Sequence, residues 1–95
     1  MSAVFGRGRW EVRIPDCPSL KEKRRVVHSL RDRVRARLRI SAAETDFQDD
    51  RRRAEVSIAF VASDPAVARS LLEQADAIIS SDPRIYVLKI ESELY

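Results

Sequence analysis

Apolar and polar positions alternate along the first stretch of the chain. Between Val4 and Ile14, the residues Val4, Trp10, Val12 and Ile14 share one side, with Gly6 and Gly8 between them, and Phe5, Arg7, Arg9, Glu11 and Arg13 share the other. A period of two predicts a strand with one apolar and one mostly charged face. The two glycines mark a bulge or a place where a helix lies close. Pro15 and Pro18 then close the strand and open a loop.

The period next lengthens to that of a helix. Ser19 and Glu22 have the spacing of a capping box, so a helix is expected to begin at Ser19. Leu20, Val27, Leu30, Val34 and Leu38 form its apolar stripe, with Val26 at the edge, and its end falls near Arg37 to Arg39. A second strand is read from about Ile40 to Phe47, and the tract Gln48-Asp49-Asp50-Arg51 as a turn. A third strand sets Ala54, Val56, Ile58, Phe60 and Ala62 against Glu55, Ser57 and Ser63, and the short connection makes a hairpin. Asp64-Pro65 starts a second helix, with Asp as cap and Pro in the first turn. Val67, Ala68, Leu71, Leu72, Ala75, Ile78 and Ile79 are its buried stripe, and Asp82-Pro83 breaks the chain. The last strand, about Arg84 to Leu94, is expected to place Tyr86, Leu88, Ile90 and Leu94 on one face.

The order βαββαβ predicts an α+β chain of the ferredoxin-like kind, a single domain over residues 1–95. Right-handed crossovers put both helices on one face of a four-stranded antiparallel sheet. The open face would show Phe5, Arg7, Arg9, Glu11 and Arg13, then Glu55, Ser57, Ala59 and Val61, then Ile85, Val87, Lys89, Glu91 and Glu93.

Composition adds bounds. An apolar fraction of 44% is that of a globular chain, and no apolar run approaches the roughly 20 residues that span a bilayer. Met1 to Trp10 lacks the apolar run and cleavage site of a secretory signal, and Cys17, the one cysteine, has no partner for a disulfide. A cytoplasmic protein without a membrane partner is expected.

Charge changes the picture more. Residues 1–39 carry a balance of +8 and residues 40–95 one of −5, inside a net +3. Nine Lys/Arg and two acids lie between Lys21 and Arg39. On a helical wheel Lys21, Arg24, Arg25, His28, Arg31 and Arg35 form one arc beside the apolar stripe, interrupted by Asp32. Like charges four apart cost an isolated helix roughly 0.2–0.5 kcal/mol per pair, so helix stability does not account for the pattern. Two readings stand. The arc is a solvated face paired with the acidic second half, or it meets an anionic partner whose phosphate oxygens fit arginine forks. In the second reading Lys21, Lys23, Arg24, Arg25, Arg31 and Arg35 contact the phosphates of structured RNA, with Arg7, Arg9 and Arg13 as a second patch. Base reading is not expected, because Phe5 is the one aromatic on the open sheet face.

Other signals are weaker. Glu44 and Asp46 stand two apart on the second strand, and Asp49 and Asp50 follow, but no His or Cys joins them and Arg51, Arg52 and Arg53 come next. His28 has no carboxylate neighbour in sequence, and Cys17 lies between prolines without a His–Asp arrangement. Gly6-Arg7-Gly8 has too few glycines for a phosphate loop. The expectation is a binding module rather than an enzyme, with no catalytic residue, metal or cofactor.

The segments SLKEKRRVV (Ser19 to Val27) and AETDFQD (Ala43 to Asp49), with the length and element order, resemble the YlxP-like family of short bacterial proteins of unknown function. The resemblance implies a ferredoxin-like fold and, from genes that sit beside those for translation initiation and ribosome-maturation factors, a ribosomal RNA context. It carries no catalytic residues. The family usually has His where this chain has Phe47, which counts against a metal or catalytic site at the acidic cluster. The reading that competes with RNA binding is a protein-interaction or homo-oligomeric module using the open sheet face and the edge strands.

Overall fold

The computed structural model describes residues 3–95; the part of the expected domain that falls on Met1 and Ser2 lies outside them. The elements run β1 (Val4–Arg13), α1 (Leu20–Leu38), β2 (Ser41–Asp46), β3 (Arg53–Ala62), α2 (Pro65–Ser80) and β4 (Tyr86–Leu94). The strands form one antiparallel sheet in the order β2-β3-β1-β4. Both helices cover the same face, and a single apolar cluster fills the space between. This is the expected ferredoxin-like arrangement, with two helices on a four-stranded sheet.

Both helices start where their caps predict. The Ser19 hydroxyl accepts from the Glu22 N–H at 3.2 Å, and the Asp64 carboxylate accepts from the Val67 N–H at 2.9 Å. The reciprocal half of the capping box is not made, since the Glu22 carboxylate turns to Arg25. Arg39 ends α1 in the left-handed region, at φ 54°. Trp10, 1% exposed, satisfies its indole N–H on Asp76 of α2 at 3.0 Å.

Gly6 and Gly8 mark neither a bulge nor a helix contact alone. The Phe60 ring lies on Gly6, where an added Cβ would sit 2.2 Å from its Cζ. The Trp10 ring and Leu72 cover Gly8 in the same way. Missing side chains on β1 thus make room for two aromatics on the helix side of the sheet.

Bulges on the two edge strands redirect side chains. Between Lys89 and Val87 the register with β1 shifts, so Leu88 is an extra residue. Val87 then pairs with Val12 and packs on the core, Ile85 is buried, and Tyr86 pairs with Arg13 on the open face. The expected faces of β4 are therefore exchanged before Leu88. Beyond it Ile90 and Leu94 do lie on the helix side, opposite Trp10 and Gly6, yet they remain exposed at the sheet edge. A second shift at Thr45 puts Glu44 beside Val56 on the helix side and Asp46 beside Glu55 on the other. Glu44 and Asp46 do not share a face.

Candidate nucleic-acid interface

The basic helix α1 presents two kinds of cation. Its inner face carries Val27, Leu30 and Val34, all fully buried, and Lys23 with them at 0% exposure. Lys23 Nζ donates to the Phe47 carbonyl at 2.7 Å and the Gln48 carbonyl at 3.4 Å, and lies 2.6 Å from Glu44 Oε2. The contact with Glu44 is ionic, without hydrogen-bond alignment at that oxygen. Lys23 is thus withdrawn from the expected phosphate-contacting set, because its charge is buried and engaged inside the fold.

The outer face divides again. Arg25 pairs with Glu22 at 3.2 Å and Arg31 with Asp32 at 2.9 Å, both local contacts on the helix. Surface pairs of this kind are worth about 0–1 kcal/mol and exchange readily for a stronger anion. Lys21, Arg24 and Arg35 are exposed and have no carboxylate partner among the described residues, and the same holds for Arg37 and Arg39 beyond them. His28 is exposed on the same helix.

Two acids of the second half reach α1, Glu44 at Lys23 and Asp82 at Arg33, but neither contacts Lys21, Arg24 or Arg35. Asp82, 3% exposed, takes Arg33 at 2.6 Å and Arg84 at 2.7 Å, and Arg84 reaches Ser29 on α1. The Arg84 hydrogen bond is the largest cause that holds the Asp82 carboxyl below its usual value, with Arg33 adding a smaller pull. On the open face Glu93 binds Arg7, and Glu91 binds Arg9 and Lys89. Hydrogen bonds from Lys89 and Arg9 bring Glu91 down to about 2, and the Arg7 bond lowers Glu93. The second expected patch is accordingly reduced. Arg7 and Arg9 stand among the carboxylates Glu55, Glu91 and Glu93, which repel a phosphate, while Arg13 has no carboxylate partner among the described residues.

The acidic cluster divides: Glu44 stands apart, while Asp46, Asp49 and Asp50 line one open depression beside the end of β2. Glu44 faces Lys23, Asp46 accepts from the Phe47 N–H at 2.7 Å, and Asp50 accepts from the Arg52 N–H at 2.9 Å. Asp49 lies in the exposed turn. No group of three or more His, Cys, Asp or Glu among the described residues is arranged to hold a metal ion. Cys17 is buried, its thiol donating to the Ser19 carbonyl at 3.2 Å. No helix among the described residues is long and apolar enough to cross a membrane.

The segments SLKEKRRVV and AETDFQD meet at Lys23, whose ammonium joins Glu44, Phe47 and Gln48. A family model described as "Protein of unknown function (DUF503)" matches residues 5–92, which span both segments. The chain belongs to this family. No curated protein matches it. In this DUF503 chain the contact between the two segments joins α1 to the β2–β3 turn, so part of what reads as a basic motif serves the fold. Sequence periodicity held the signal: Lys23 fills the gap in the apolar stripe between Leu20 and Val27.

Proposed function

We propose that the chain is an RNA-binding module that docks on structured RNA, such as that of the ribosome, through the outer face of α1. The observation that carries this reading is the set Lys21, Arg24 and Arg35, exposed on one helix and without carboxylate partners among the described residues. The chain has eleven acids after residue 39, and none of them reaches this face. Arg25 and Arg31 extend the surface once an RNA phosphate replaces their local acids. Contacts go to phosphates and shape rather than to base edges, because no stacking aromatics accompany the cations. The YlxP-like resemblance and its translation-linked gene context support the same partner, and a cytoplasmic setting follows from it.

We read the module as a binder rather than an enzyme. Glu44 is taken up by Lys23, and Asp46 and Asp49, which line one open depression with Asp50, are all exposed and have no His or Cys in that lining to serve as a partner acid or base. The competing reading, a second copy seated on the open sheet face, has less support there, since Arg7–Glu93, Arg9–Glu91 and Arg53–Glu11 already neutralise one another across it.

Co-sedimentation with ribosomal particles at low salt tests the RNA reading. The variant Arg24→Glu with Arg35→Glu should leave the pellet while its far-UV circular dichroism stays that of the wild type. Unchanged co-sedimentation of this folded double variant rejects the assignment.

A further inference from the structure

The far edge of the sheet carries a surface that α1 does not explain. β4 is an edge strand of nine residues. Five large apolar side chains stand exposed on it or just after it: Tyr86, Leu88, Ile90, Leu94 and Tyr95. Edge strands are normally blunted by proline, by short length or by free charges, because their unpaired N–H and C=O groups template pairing with another chain. Here no proline lies within the strand, Lys89 is held by Glu91, and the bulge at Leu88 lies at one end, which leaves the stretch from Lys89 to Leu94 regular.

The backbone fixes which groups are on offer. Phe5 and Tyr95 exchange reciprocal hydrogen bonds at 3.0 and 2.8 Å. Counting along the continuous register, Glu93, Glu91 and Lys89 turn their backbone groups toward β1, and Leu94, Ser92 and Ile90 turn theirs outward.

We propose that this edge pairs antiparallel with the same edge of a second copy, on a two-fold axis through Ile90. Charge selects the register. With Ile90 opposite its own copy, Lys89 stands opposite the partner's Glu91, and the relation repeats by symmetry. Within one chain Lys89 is the cross-strand neighbour of Glu11, and Glu91 that of Arg9. The open face then reads Glu11, Lys89, partner Glu91, partner Arg9, an alternation of sign across four strands. Shifting the axis to Glu91 sets that carboxylate against its own copy, and shifting it to Ser92 sets Glu91 against Glu93; like charges directly opposite are unfavourable. On the helix side the two Ile90 side chains meet. The Leu94 end of each strand runs toward the Leu88 end of the other; beyond that bulge Tyr86 lies on the open face and stays outside the pairing. A homodimer leaves both α1 faces free, so this inference is independent of the RNA reading.

Size-exclusion chromatography with light scattering on the full chain is the test. The wild type should elute with twice the 10.9 kDa chain mass. Lys89→Glu and Glu91→Lys, each alone, place like charges opposite at two symmetric positions and should weaken the dimer at least about tenfold. An equimolar mixture of these two variants restores both opposite-charge contacts and should recover the doubled mass; in the Glu91-centred register Glu91→Lys alone would already dimerise like the wild type, because position 91 meets its own copy in either form and Lys89 still faces Glu93. Ile90→Lys, at a half-exposed position that the fold tolerates, should also be monomeric with an unchanged circular dichroism spectrum. A wild type of single-chain mass at every loading overturns the proposal. So do single variants that dimerise as tightly as the wild type, or a mixture that stays monomeric while both components are folded.

Discussion

The ammonium of Lys23 donates to the carbonyl of Phe47 across 2.7 Å, tying the first turn of α1 to the end of β2. Phe47 stands at φ 61°, in the left-handed region that a bulky residue adopts at a cost. Three contacts hold it there: Lys23 on its carbonyl, the Asp46 carboxylate on its N–H, and the Arg53 guanidinium over its ring at 4.4 Å. A buried charge with partners is poor evidence for net stability, but removal of one member leaves the others desolvated and unpaired. Lys23→Ala should therefore lower the free energy of unfolding by about 3–5 kcal/mol in urea titration. If Lys23 were a solvated surface cation, the loss would stay within about 0.5 kcal/mol.

Gly6→Ala should destabilise by about 1–3 kcal/mol, because the new methyl meets the Phe60 ring and the buried ring has to shift. The double variant Gly6→Ala with Phe60→Leu should lose less than the sum of its single changes. Additive losses in a double-mutant cycle would show that the ring does not rest on the glycine.

Asp82 sets part of the acid limit of the fold. Its carboxyl titrates below the usual 3.8 in the folded chain, so the unfolded chain binds the proton first. The contribution is fully present above the unfolded value and is lost as pH falls through the folded one. Glu91 and Glu93, also lowered, act with the same sign at the exposed face. Wild-type stability should thus decline from about pH 5 downward. Asp82→Asn should lose about 2 kcal/mol at neutral pH, where Arg33 and Arg84 lose their anion, and should show a shallower acid decline. Parallel pH curves for the two proteins would remove Asp82 from this role.

Local signals made most of the architecture legible. Ser19 and Asp64 announce their helices through side chains that cap the backbone they precede. The alternation in β1 and β3 is uninterrupted, so Trp10, Val12, Val56 and Ile58 fall where the period puts them. The two edge strands were less readable. A bulge at Leu88 or Thr45 needs no glycine or proline, and one extra residue reverses every face before or after it. Tyr86 is exposed and Ile85 buried for that reason. In the candidate interface the arc Lys21, Arg24, Arg35 could be placed from the helical wheel, because nothing packs on it. Pairing of Arg7 and Arg9 with Glu93 and Glu91 required the register between β1 and β4, which joins the two ends of the chain.

The salt dependence of RNA binding tests the central claim most directly, since it counts the phosphates that the helix neutralises. Binding to a structured ribosomal RNA fragment would be followed by fluorescence anisotropy across a range of KCl concentrations. Arg24→Ala with Arg35→Ala should flatten the slope of log K against log salt by about 2. Arg7→Ala with Arg9→Ala, whose side chains stand among the carboxylates Glu55, Glu91 and Glu93, should leave it unchanged. A slope untouched by the α1 pair, or lost with the sheet pair instead, would contradict the assignment of this surface.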